Sequence, residues 1–197
     1  MLDLEPATRR LSDVVVAVRD DQLGAPTPCT DSTLGDLLDH VDGLAFAFTM
    51  AATKTPIEGG SPPPSADASR LGTDWRTRIP DRLVALAGAW REPTAWTGMT
   101  QAGGVDLPGE AAGLVALNEV IVHGWDIAVA SGQPYASEDD LVAGALGFVR
   151  AAVAENPNGS PGLFGPPVPV PADGPLLDQL LGLTGRNPAW RGDARIG

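Results

Sequence analysis

Residues 109–131, GEAAGLVALNEVIVHGWDIAVAS, form a long and mainly apolar stretch. Drawn as a helix, the stretch presents apolar side chains on every face, and Glu119 and His123 stand together among them. A helix that is apolar all round is buried, because none of its faces suits water. We therefore predict that a helix over 109–131 lies inside the protein and ends at Gly132.

Five further helices are predicted from apolar residues at helical spacing, separated by Pro- and Gly-rich segments. Their predicted ranges are 4–22, 32–53, 66–90, 137–155 and 175–184. Asp31, Ser32 and Thr33 are candidate caps for the helix over 32–53. Pro80 is expected to kink or split the helix over 66–90.

Strand signals are scarce in the chain. Alternating β-branched residues are nearly absent outside residues 166–171, PPVPVP, and the long connection 91–109 is expected to be irregular. The expected fold class is therefore all-α. We predict a metal-binding four-helix bundle over residues 1–135 and a short helical C-terminal extension, residues 136–197, packed on the same domain.

Charge and composition narrow the classes of partner. The chain of 197 residues has a net charge of −12, and Lys54 is its only lysine. A nucleic acid needs clustered Lys and Arg, so we expect no nucleic-acid partner. The chain has no apolar run of about 18 residues and no signal peptide, and Cys29 is its single cysteine. We therefore expect no membrane partner, no internal disulfide and a cytoplasmic location.

The two histidines and one glutamate point to a metal site. Glu119 and His123 lie about 40° apart on one helix face, where a buried carboxylate is costly unless a metal ion or an arginine compensates its charge. His40 lies on an apolar stripe of the helix over 32–53. Two imidazoles and one carboxylate are a common open ligand set for Zn²⁺, Ni²⁺ or Fe²⁺, and helical bundles build such sites from facing helices.

Structural alternatives remain for each of these residues. A core histidine is often a hydrogen-bonded structural residue, and Glu119 with His123 could be an intrahelical pair that contributes about 0.2–0.5 kcal/mol. Asp126 could orient the imidazole of His123 from outside the ligand set. It could equally be an exposed acid or the partner of an arginine.

Three other residues receive weaker assignments. Cys29 is interpreted as structural, because His40 lies more than two helical turns into its helix, roughly 12 Å or more away. Trp96 could line the entrance of a pocket, because it lies in the long connection. Arg186 could cap the last helix, pair with acids or contact a substrate.

Three segments carry a resemblance to a known family. TPCTDSTLGDLLDHV, LNEVIVHGWDIAVASGQP and LFGPPVPVPADGPLLDQLLGLTGRNPAW resemble the DinB-like, mycothiol-dependent maleylpyruvate isomerase N-terminal family, the last of them an uncharacterised branch of it. The resemblance implies a four-helix bundle with a long crossover. It also implies one divalent metal, usually zinc and sometimes nickel, held here by His40, Glu119 and His123.

The chemistry that the resemblance implies is thiol-dependent. A metal lowers the pKa of a coordinated thiol, so a mycothiol-type cosubstrate would attack a small electrophilic substrate in a transferase or isomerase reaction. Alternatives are hydrolysis, and a non-catalytic protein that binds a metal or small ligand on the same bundle; a homodimer is plausible. The family's isomerase has a sizeable second domain. Only about 60 residues follow the fourth helix here, which argues against maleylpyruvate as the substrate.

Overall fold

The computed structural model describes residues 1–30, 32–57, 65–159 and 164–192. Its described residues form six α-helices and one two-stranded sheet, so the predicted all-α class is confirmed apart from that sheet. The helices are α1 Glu5–Ala17, α2 Leu34–Thr53, α3 Trp75–Trp90, α4 Gly109–Ala130, α5 Asp139–Glu155 and α6 Leu176–Leu183. The strands are β1 Met99–Ala102 and β2 Val105–Pro108.

Helix α4 is the buried helix of the fold, as its all-round apolar pattern predicts. It packs against α1 and α2, each of which also packs against α3, and these four helices form the bundle. Helix α5 packs on α4, and α6 packs on α5. The division at residue 135 stays a prediction.

By length and composition alone, α4 is long and apolar enough to cross a membrane. The sequence analysis had expected no such segment, because the chain has no uninterrupted apolar run of about 18 residues. However, 83% of its most apolar window is buried inside the protein. The core helix of a globular domain passes the same test.

The start of α2 is fixed by a capping box. Thr33 Oγ1 accepts from the backbone N–H of Asp36, and Asp36 Oδ2 accepts from the backbone N–H of Thr33. Of the other predicted caps, Ser32 makes no cap and Asp31 lies outside the described residues. Two turns further along α2, His40 faces α4, where its ring meets that of His123.

Helix α3 is shorter than predicted and is not divided. It begins at Trp75 rather than near residue 66, because a separate 3-10 turn at Ala68–Arg70 is followed by Gly72 at a φ of +68°. The helix then continues through Pro80, so the predicted split is wrong.

The connection 91–109 was predicted to be irregular, and this prediction is wrong. The connection carries the hairpin β1–β2. Gly103 and Gly104 have φ values of +57° and +79°, and positive φ at both central residues favours a two-residue hairpin turn. Thr100 pairs with Leu107 and Ala102 pairs with Val105, so these four residues share one face. Residues 166–171 form no strand, because prolines cannot donate to a ladder.

Candidate metal centre

The packing of α2 on α4 brings the three predicted ligands together. His40, Glu119 and His123 each offer one ligand atom, and these atoms lie within 4.8 Å of one another. Glu119 Oε2 lies 2.9 Å from His123 Nε2 and 4.0 Å from His40 Nε2. The two imidazole rings meet edge to face, with centroids 5.0 Å apart. We call these three residues the metal cluster; that they bind a metal stays a prediction.

Asp126 holds the far side of the His123 ring. Its side chain is fully buried, and Oδ2 lies 3.0 Å from His123 Nδ1. The same oxygen accepts from Arg186 Nη2 at 3.1 Å. A carboxylate on Nδ1 fixes the ring orientation and leaves Nε2 facing Glu119, which is the arrangement common behind metal-ligating histidines.

The environment of the cluster shifts all three protonation equilibria. Burial, helped by the charge of His123, lowers the pKa of His40 to about 4, so His40 is neutral at neutral pH. Burial opposes a charge on His123, but the hydrogen bonds to Asp126 and Glu119 outweigh it and raise its pKa to about 9. Burial is likewise outweighed at Glu119, whose pKa lies below its usual value because of His123.

The donor set fits a divalent cation. Among the described residues, Glu119 lies within 4.0 Å of the two imidazoles and forms an ion pair with no arginine or lysine. Without a metal, the buried carboxylate is therefore compensated by a proton on His123. A metal ion would compensate the same charge, and two imidazole nitrogens with one carboxylate oxygen form an open ligand set for zinc.

The metal cluster lies in the wall of a cavity of about 650 Å³. Loops from both ends of the chain, α2, α4 and the hairpin all contribute to it. The lining residues are Pro28, Cys29, Thr30, His40, Leu44, Ala47, Phe48, Ala102, Gly103, Val105, Leu107, Val115, Glu119, His123, Phe164, Gly165, Thr184, Gly185 and Arg186.

Two lining residues were underrated from the sequence. Cys29 was interpreted as structural, yet it lies in the cavity wall with the metal cluster. Burial raises the pKa of its thiol, so it is not a ready nucleophile at neutral pH. Arg186 is buried and pairs with Asp126. Pairing with an acid was one of the alternatives given for Arg186, and pairing with an arginine was one of those given for Asp126.

Trp96 is half-buried and packs against the core of the bundle. Trp96 does not line the cavity, so the pocket-entrance prediction is wrong. Its indole packs edge to face on Trp90 and donates to the Trp90 carbonyl at 2.7 Å. Trp125 on α4 is buried as well.

Sequence reasoning missed the contribution of the hairpin and of the residues around Phe164 and Thr184 to the cavity. The Gly-Gly pair at 103–104 between short apolar segments was the available signal for the hairpin. No local pattern identified Phe164 or Thr184, because their place in the wall depends on how the C-terminal segment folds back.

Comparison with known proteins gives concordant matches. Residues 4–128 match the sequence model of the family described as the mycothiol maleylpyruvate isomerase N-terminal domain. Uncharacterized proteins from two strains of Mycobacterium tuberculosis are each 31% identical over 188 residues, which covers 91% of this chain and 96% of the relative.

Solved structures show the same fold. The crystal structure of the mycothiol-dependent maleylpyruvate isomerase superposes with a TM-score of 0.63 at 18% identity, over 93% of this chain and 87% of that one. A histidine-to-alanine variant of that isomerase gives 0.64 at 17% identity. Coverage this high includes residues beyond α4. That the C-terminal extension differs from the isomerase's second domain stays a prediction.

Proposed function

Because the chain belongs to the mycothiol maleylpyruvate isomerase N-terminal domain family, we propose that it is a metal- and thiol-dependent transferase or isomerase of a small electrophilic substrate. His40, Glu119 and His123 would hold one divalent metal, zinc first and nickel second. The observation that carries the proposal is the meeting of these three donors, within 4.8 Å, in the wall of a cavity that admits small molecules. The bound metal would lower the pKa of a thiol so that a thiolate forms at neutral pH.

The surrounding residues have distinct roles in this proposal. Asp126 is a positioning residue, because it contacts His123 Nδ1 and fixes the ring. Among the described residues that line the cavity, Arg186 is the only arginine or lysine, so it is the group that holds an anionic part of the thiol. The raised pKa of Cys29 supports a thiol supplied by a cosubstrate rather than by the chain.

Isomerase and transferase reactions share the same first step and differ in what the thiol adduct does next. The thiolate sulfur forms a bond to the electrophilic carbon of an activated double bond, and the π electrons move to the activating carbonyl. If rotation about the new single bond is followed by expulsion of the thiolate, the product is an isomer and the thiol is regenerated. If the carbanion is protonated instead, the product is a thioether and the reaction is a transfer.

The first test is the metal content of protein that has been purified without chelators. We expect about one metal ion per chain, lost in His40→Ala and Glu119→Ala. Glu110→Ala is the matched control, because Glu110 is exposed on the same helix as Glu119. This variant protein should keep its metal. Absence of metal, with no thermal stabilisation by added Zn²⁺ or Ni²⁺, would overturn the proposal.

The second test is turnover. The metal-loaded protein is screened for consumption of activated alkenes with mycothiol and other low-molecular-weight thiols. Turnover that needs both the thiol and Glu119 supports the enzyme. Metal binding without any thiol-dependent turnover would favour the non-catalytic metal- or ligand-binding alternative.

A further inference from the structure

The cavity has two chemically different ends, and the order of residues along α4 shows this. Val115, Glu119 and His123 all line it at intervals of four residues, which is about 6 Å for each step. Beyond His123 come Asp126 and its partner Arg186. Along the helix, the cavity wall therefore runs from an apolar residue through the metal cluster to an ion pair.

Helix α2 repeats this order from the opposite side. Leu44 and Phe48 follow His40 by four and eight residues, and both line the cavity. They also border a small void together with Ala116 and Val120 of α4, so their side of α2 faces the same part of that helix. Apolar wall thus extends for about 12 Å from His40 toward the C-terminal end of α2.

The hairpin borders this apolar end. Ala102, Val105 and Leu107 line the cavity from the hairpin face that also carries Thr100. Thr100 Oγ1 donates to the carbonyl of Ala51 near the end of α2 at 2.6 Å, which holds the hairpin against the bundle. Val105 is 62% exposed, so this end of the cavity is open to solvent on one side. The opposite hairpin face carries Met99, which does not line the cavity.

The other end of the cavity carries the polar lining residues. Cys29, Thr30, Thr184 and Arg186 line it beside Pro28 and Phe164, and Arg186 contacts Asp126, which lies beyond His123 on α4. Among the described residues that line the cavity, no arginine or lysine lies at the apolar end. A charged group buried at the apolar end would therefore lack a partner, at a large desolvation cost.

We propose that the electrophilic substrate is uncharged and carries an alkyl or aryl group that occupies the apolar end, formed by Leu44, Phe48, Val105, Leu107 and Val115. The polar thiol cosubstrate occupies the opposite end beside Arg186. This assignment rests on the proposed function, because the metal cluster between the two ends is where both reactants would meet. It excludes a small dicarboxylate as the preferred substrate.

Binding of metal-directed probes to the zinc-loaded protein tests the assignment without turnover. Acetohydroxamate, hexanohydroxamate and octanohydroxamate share one chelating group and differ in alkyl length. By titration calorimetry we expect affinity to rise by up to about fourfold for each buried methylene, and about a hundredfold or more from the shortest to the longest. Suberic acid monohydroxamate has the octano chain with a terminal carboxylate, and it should lose most of this gain.

Leu107→Asp places a charge at the apolar end and should remove the dependence of affinity on chain length. Met99→Asp is the matched control on the outer hairpin face and should behave as the unaltered protein. Equal affinity for all chain lengths in a zinc-loaded protein, or equal affinity for the carboxylate-tailed probe, would overturn this inference and leave the metal site standing. Failure to bind zinc would overturn the proposed function and this inference with it.

Discussion

Helix α2 carries two buried groups of charged or titratable residues that differ in how their charges are compensated. His40 belongs to the metal cluster. Asp39 and Asp42 belong to a second group, which we call the arginine cluster. Its three arginines are Arg70, in the 3-10 turn before α3, and Arg78 and Arg82 on α3. Arg70 Nη2 lies 2.6 Å from Asp39 Oδ2, and Asp42 lies 2.9 Å from both Arg78 Nε and Arg82 Nη1.

The comparison shows that burial of charged residues does not by itself mark a site. In the arginine cluster both carboxylates have guanidinium partners within 2.9 Å, so their charges are already compensated without a ligand. In the metal cluster, the ion-pair partners of the Glu119 carboxylate among the described residues are both imidazoles, and the cluster opens on a cavity. The lack of a guanidinium in direct contact with this carboxylate, together with access, distinguishes the candidate site from the structural ion pairs.

The largest effect should come from breaking the arginine cluster. Asp42→Ala removes the buried carboxylate that Arg78 and Arg82 share, so Arg82 loses its carboxylate partner and Arg78 keeps only Asp74. We expect a loss of about 3 kcal/mol in the free energy of unfolding. Urea denaturation measures it, and metal content in the folded fraction should not change. A variant that keeps full stability but loses its metal would reverse the roles assigned to the two clusters.

Asp126→Asn should separate ring positioning from ligation. The amide keeps the shape of the side chain but weakens the contact with His123 Nδ1, so we expect metal affinity to fall by about 10- to 100-fold. Competition with a chromogenic chelator measures the affinity. Asn118→Asp is the control for a change of buried charge on α4. Asn118 is a buried neighbour of Glu119 in the chain and not the carboxylate behind His123, so this variant tests whether any such change lowers metal affinity.

Thr33→Ala should weaken both clusters slightly through the helix they share. Loss of the capping box should cost about 1 kcal/mol of stability, measured by urea denaturation. Thr33→Ser, which retains the hydroxyl, is the control and should keep most of the stability. An unchanged midpoint in the alanine variant would show that the box does not hold the start of α2.

Gly43→Ala should have the smallest effect and the opposite sign. A Cβ at this position in α2 meets no atom within 4 Å, so the gain in helix propensity should stabilise the protein by about 0.5–1 kcal/mol. Thermal denaturation measures the gain, and metal affinity should stay constant. A simultaneous rise in affinity would mean that the stability of α2 itself limits metal binding.

The metal cluster was predictable because its geometry follows from local spacing. Glu119 and His123 share a face by helical periodicity, and His40 lies on a stripe that had to face the bundle. The arginine cluster was not predicted, since Arg70, Arg78 and Arg82 lie 31 to 40 residues from their carboxylate partners in the chain. No local pattern encodes such a pairing, because it depends on how α3 docks on α2.

Other features were missed for different physical reasons. The hairpin has short strands, and its Gly-Gly turn resembles a loop in composition. The role of Arg186 depends on the C-terminal segment folding back to Asp126 on α4, 60 residues earlier. Trp96 was misplaced because a tryptophan in a connection can pack inward as readily as it can line a pocket.

The hairpin β1–β2 leaves and rejoins the bundle at neighbouring points, where the backbone N–H of Gly109 donates to the carbonyl of Gly98 at 2.9 Å. Its ten residues can therefore change in sequence while the helices that carry His40, Glu119 and His123 keep their packing. Evolution or a protein engineer could exchange this element as a unit. Relatives would then diverge in the molecules they accept while inheriting one unaltered centre.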